Sequence, residues 1–255
     1  MRLYPSENRF NELKNKFNMI PLFAKIKIDI NVLSIYNKLR GNYSFILNSS
    51  MIDKNLGRYT FIGFEPFLII SSKGNNLSIN GKRFIGNPID LLKKKLNLFK
   101  SIRYDDLPPF FGGVVGYFAY DIVHFFEKLP KTTKQDINSP DMYFLFIDKS
   151  VIYDHIKNEL IIVVLGNNYD ECMNEVMRIS RRIFGKDKSL NRKILCRGLS
   201  SNFTKDEYMN AILKVKEYIS AGDTFQVNLS QRLKGIIEGD CLAIYERLAK
   251  INPAP

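Results

Sequence analysis

At 255 residues the chain is long enough to bury a sizeable core in one large or two small domains, and a composition 45% hydrophobic and 25% charged excludes a disordered or fibrous class. The net charge of +12 raises nucleic acid and anionic membranes as partners, but Lys and Arg are dispersed in short runs such as Lys93-Lys94-Lys95, with no basic motif carrying interleaved base-stacking aromatics. Three cysteines, Cys172, Cys196 and Cys241, are odd in number and far apart, which fits neither a disulfide framework nor a C-x-x-C metal pattern. The first eight residues hold no apolar leader, and the uncharged stretch 107–120 is too short, and too broken by Pro and Gly, to cross a bilayer. The expectation is a cytoplasmic protein that binds neither nucleic acid nor membrane.

In chain order, residues 6–18 predict a short entry helix, 21–30 a strand and 32–39 a second helix. Residues 43–48, 58–64 and 66–72 are apolar and β-prone, and the turn signals Asn75-Asn76 and Asn80-Gly81 flank Leu77-Ser78-Ile79, as in a meander. Pro88 opens a helix whose apolar positions are Ile89, Leu92, Leu96 and Phe99. Residues 110–120 are rich in aromatics, Val and Gly and are expected to enter the core as a strand. Residues 142–148, 150–155 and 159–165 predict a three-strand meander, followed by a helix over 169–184. The basic, weakly patterned stretch 185–201 is the linker candidate.

After it, Thr204 and Glu207 have capping-box spacing, Tyr208, Ile212, Val215 and Ile219 form a stripe, and Gly222 supplies a stop. Phe225, Val227 and Leu229 alternate with polar residues as in a half-buried strand, and a short helix is expected over 240–250. One strand between two helices cannot cover both its faces, so the reading is of a truncated layer. The domain expectation is an N-terminal region over 1–196 and an incomplete second region over 197–255. Strands and helices without regular βαβ alternation predict an α+β fold, a sandwich of antiparallel sheets with outer helices.

Signals for chemistry are sparse. Gly112-Gly113-Val114-Val115-Gly116 lacks both the Lys-Ser/Thr of a P-loop and the G-x-G-x-x-G spacing, so a strand with glycines for close packing is the simpler reading. His124 and His155 stand in no zinc-binding arrangement, and no G-x-S-x-G or neighbouring Cys-His pair supports nucleophilic hydrolysis.

Three stretches taken together resemble component I of the chorismate-aminating enzymes, the anthranilate and aminodeoxychorismate synthases. They are Leu56-Gly57-Arg58-Tyr59-Thr60-Phe61-Ile62-Gly63, then Leu107-Pro108-Pro109-Phe110-Phe111-Gly112-Gly113 with Val114-Val115-Gly116-Tyr117 after it, and Gly222-Asp223-Thr224-Phe225-Gln226-Val227-Asn228-Leu229 with Asn252-Pro253-Ala254-Pro255. The resemblance implies chorismate as substrate, ammonia from a glutamine amidotransferase partner, and Mg2+ holding the substrate in the complete enzyme. It places the catalytic groups and metal ligands beyond residue 255, so no catalytic, cofactor or metal residue is carried over, none of these groups is expected on this chain alone, and a separately encoded C-terminal half is a conceivable partner. Gln226–Leu229 and the Asn-Pro-Ala-Pro end tilt the reading toward aminodeoxychorismate synthase in folate biosynthesis, while the opening residues resemble anthranilate synthase. A non-catalytic remnant or partner-binding fragment is the remaining alternative. The family's tryptophan pocket maps onto Ser49, Asn252, Pro253 and Pro255. At the family's Leu-Leu-Glu-Ser stretch this chain reads Ile46-Leu47-Asn48-Ser49, which removes the carboxylate that would pair with a ligand ammonium.

Overall fold

The computed structural model describes residues 1–48, 57–130, 137–186 and 189–252. It falls into two compact units, one comprising residues 1–188 together with 252–255 and another over residues 189–251. The boundary expected at 196/197 therefore lies inside a strand of the second unit.

In the first unit, β1 (Leu3–Tyr4), α1 (Glu7–Leu13), β2 (Ile20–Lys27), α2 (Val32–Leu39), β3 (Ser44–Leu47) and β4 (Tyr59–Phe64) come first. Then follow β5 (Leu68–Lys73), β6 (Asn76–Ile79), β7 (Lys82–Ile85), α3 (Pro88–Leu96), β8 (Gly113–Phe118) and a 3-10 turn at Tyr120–Phe125. β9 (Met142–Ile147), β10 (Lys149–Asp154), β11 (Glu159–Gly166) and α4 (Tyr169–Phe184) complete it. A six-stranded antiparallel sheet has the order β1-β2-β11-β10-β4-β3, and a five-stranded one the order β7-β6-β5-β9-β8. The expected α+β architecture of antiparallel sheets with outer helices is thus present.

Asparagine fixes three of the helix starts. The side chains of Asn31, Asn87 and Asn168 each accept from two first-turn N–H groups of α2, α3 and α4, and Pro88 adds a preset φ to α3. The apolar stripe of α4, Cys172, Val176, Ile179 and Ile183, packs with Phe10, Ile35 and Leu39 on one face of the large sheet. That face contributes Leu22, Val151, Leu160, Ile162 and Val164. Phe23, Ile152, Ile161 and Val163 point the other way, under Leu107. The two central strands β10 and β11 are therefore buried on both faces, and each fully buried Val, Ile or Leu contributes about 1.5–3 kcal/mol. Two helix ends cap each other. The buried Lys38 ammonium donates to the Ile183 (2.7 Å) and Gly185 (3.0 Å) carbonyls at the end of α4, while Arg182 donates to the Lys38 and Leu39 carbonyls that end α2.

Four sequence expectations are corrected. Residues 142–165 form no three-strand meander: β9 pairs with β5 and β8 in the small sheet, whereas β10 pairs with β4 and β11 in the large one. The chain changes sheet at Asp148, and an unbroken apolar run cannot reveal which neighbour a strand takes. The strand in 110–120 is an edge strand, β8, which among the described residues pairs only with β9 and is largely exposed. There Gly116 lets the backbones approach, since a β-carbon would meet the Tyr143 carbonyl oxygen.

The other two corrections concern the second unit, made of β12 (Leu195–Ser201), α5 (Lys205–Ala221), β13 (Leu233–Glu238) and α6 (Cys241–Ile251). Part of the supposed linker is β12, which pairs antiparallel with β13. Residues 225–229 join no ladder, and Phe225 is fully exposed, because alternation marks two faces but a strand also needs a partner edge. The capping box at Thr204 and Glu207 and the left-handed Gly222 stop are both formed. No helix among the described residues is long and apolar enough to cross a membrane.

Candidate functional site

A polar arrangement of the first unit lies where the ends of β3, β4 and β10 meet. The register that sets Tyr153 opposite Thr60 and Asp154 opposite Tyr59 brings Asn48, Thr60 and His155 into one row. The Thr60 hydroxyl, fully buried, lies 2.6 Å from Asn48 Oδ1 and 2.8 Å from His155 Nε2. Asn48 Oδ1 can only accept, so Thr60 donates to it and accepts from His155, which carries its proton on Nε2. Burial lowers the His155 pKa below its ordinary value, although Asp154 pulls it upward. The His155 backbone N–H donates to the Arg58 carbonyl, and its ring meets Tyr153 edge-on.

Asp154 anchors the row. Burial pushes its carboxyl upward, but donation from Arg58 through Nε and Nη2 (2.7 Å), together with the Lys157 and Ile156 N–H groups, holds it below the usual range. No nucleophile is activated here. The Thr60 hydroxyl gives its proton to an amide oxygen rather than to a base, and burial pushes the Cys172 thiol of α4 up to about 11. The row orders strand ends and presents a neutral amide at position 48.

Of the residues expected to line a tryptophan pocket, Ser49, Pro253 and Pro255 lie outside the described residues. Asn252 is exposed just after α6. Sequence reasoning singled out Asn48 but not its partners, because Thr60 and His155 are 12 and 107 residues away along the chain and only strand register joins them. Among the described residues no three His, Cys, Asp or Glu side chains converge to hold a metal.

The sequence pattern of a family described as chorismate binding enzyme matches residues 43–255. Anthranilate synthase component 1 of Aquifex aeolicus (strain VF5) is 33% identical over 100% of this chain and 56% of its own length. The protein of the same name from Acetivibrio thermocellus is 31% identical over 99% of this chain and 56% of its own length. The crystal structure of anthranilate synthase component I from Streptococcus pneumoniae TIGR4 superposes with a TM-score of 0.65 at 20% identity, over 88% of this chain and 51% of that one, and so shares its fold. The chain spans about half the length of the curated relatives it matches.

Proposed function

The chain belongs to the chorismate binding enzyme family, and we propose that it is the N-terminal part of a component I subunit that aminates chorismate with ammonia from a glutamine amidotransferase partner. The observation that carries this reading is the end-to-end similarity to anthranilate synthase component 1 proteins, confined to about half of their length. On this reading these 255 residues supply scaffold and the beginning of the substrate-binding region, while the acid–base groups and Mg2+ ligands lie in the remainder of the fold. The names of the relatives favour anthranilate as the product. The aminodeoxychorismate reading is retained as second, on the resemblance of Gln226–Leu229 and Asn252–Pro255 to that branch.

The test is turnover by complementation. The purified chain is incubated with chorismate, ammonium and Mg2+, alone and together with a polypeptide carrying the rest of the Aquifex component 1 fold, and aromatic amine is read by fluorescence. Product is expected only from the pair. Turnover by the chain alone overturns the division of labour, and no product from a stably associated pair overturns the assignment.

The tryptophan pocket over Ser49, Asn252, Pro253 and Pro255 is part of the same proposal, in a weakened form. Asn48 brings no negative charge, and its carbonyl oxygen already accepts from Thr60. Millimolar tryptophan is therefore expected to leave the melting temperature of the chain unchanged, and a clear upward shift would show that the pocket binds without the carboxylate.

A further inference from the structure

Where β8 and β9 meet α3 and the segment 99–103, the first unit holds a cavity of about 670 Å3, within the roughly 300–1,000 Å3 of small-molecule sites. Its lining is almost wholly apolar and includes seven phenylalanines. Three of them, Phe67, Phe99 and Phe146, pack mutually at 5.3 to 6.2 Å between ring centroids, so this wall is already formed without a ligand. The segment 109–113 closes another side. A β-carbon at Gly112 would strike Leu165, and Gly113 sits at φ +124°, so the glycine pair of the second resemblance stretch lets the backbone pass tightly along the cavity.

Among the described residues one charged residue lines this space, Arg103, and Ser101 is the other polar side chain there. Arg103 makes no hydrogen bond or ion pair with any other described residue. An exposed arginine with no partner among the described residues, lining an aromatic chamber, matches a molecule with an apolar ring body and a carboxylate, which the planar fork of Arg receives through two parallel hydrogen bonds. The walls come from α3, β8, β9, β11 and three loops, so the space is concave on several sides rather than a flat sheet face.

We propose that this cavity is a binding site for an amphiphilic aromatic carboxylate, with its ring system among the phenylalanines and its carboxylate on Arg103. The proposal shares the stretch 109–114 with the family resemblance, but its claim on a ligand rests on the cavity, its phenylalanine wall and Arg103 rather than on chorismate chemistry.

The test uses the whole chain with 2-naphthylacetate and its neutral counterpart 2-naphthylethanol. Methyl-resolved NMR is expected to show shifts at Leu92, Ile102 and Val114 with both compounds, and none at Leu195 or Ile236 in the second unit. Calorimetry is expected to show that Arg103→Gln, a change at an exposed side chain, weakens the acid about tenfold and leaves the alcohol unchanged. Shifts absent from the three lining methyls overturn the proposal. So does an Arg103→Gln effect that is equal for both compounds or missing for the acid. If the same methyls respond only when a second polypeptide is added, the cavity is a protein-docking surface and the small-molecule proposal fails.

Discussion

The two units contain similar local signals and reach different ends. In the first, β10 and β11 lie between neighbouring strands and are covered on both faces, and α4 buries Cys172, Val176, Ile179 and Ile183. In the second, α5 has the better N-terminal cap, a complete capping box, yet buries no residue, and every residue of β12 and β13 is exposed. Capping and turn chemistry are local and suffice to shape an element. Burial is collective and needs a second layer, and most of the stability of a helix in a protein comes from that packing.

The largest test of this contrast is a matched pair of truncations. Ile162→Ala removes a fully buried side chain at the centre of β11 and is expected to destabilise the first unit by about 2–5 kcal/mol. Ile236→Ala removes the same atoms from β13, where the side chain is 68% exposed, and is expected to change stability by less than about 0.5 kcal/mol. Urea denaturation of each variant measures both. Equal losses would mean that the β12–β13 strand pair is covered in solution and that the contrast between the units is false. Adding the complementing polypeptide of the turnover test should raise the Ile236→Ala loss, if that polypeptide covers the β12–β13 strand pair.

A second test concerns the reciprocal capping of α2 and α4. Lys38→Met keeps the aliphatic stem but removes the donor to the Ile183 and Gly185 carbonyls, and is expected to lower stability by about 1–3 kcal/mol. Amide exchange should quicken in the last turn of α4 while α5, which ends on a left-handed glycine, is unaffected. A neutral Lys38→Met result would mean that water satisfies those carbonyls equally well.

What was legible in the sequence follows the same division between local and collective. α2 and α4 match their predicted spans because Asn31 and Asn168 mark their starts and the apolar stripes mark their lengths. Sheet membership was not legible. Residues 142–147 and 149–154 are adjacent, apolar and β-prone, yet they belong to different sheets, and nothing in either segment names its neighbour. The same holds for the polar row. Asn48 stood out against a family pattern, but Thr60 inside an apolar strand and His155 at the end of another carried no shared signal, and their meeting depends on register. Arg103 carries no signal in the sequence, because the rings beside it come from five separate stretches of chain.

The smallest expected effect is a pH dependence that belongs to the first unit alone. Both histidines of the chain, His124 and His155, precede residue 189, so the second unit has none. Burial holds the His155 pKa below its ordinary value of 6.5, so the unfolded chain takes up a proton near 6.5 while the folded chain resists until a lower pH. Between those two values the unfolded state binds more protons, and stability must fall as the pH is lowered through that window; above 6.5 this contribution is constant. His155→Gln keeps an amide that can donate to Thr60 but cannot be protonated, so the variant should lose less stability than the parent between about pH 7.5 and about pH 5.5. Melting curves across that range measure the difference, and amide exchange in α5 should stay flat over it. Parallel curves for parent and variant would mean that the proton enters elsewhere, and that the Asn48–Thr60–His155 row stays intact when His155 is charged.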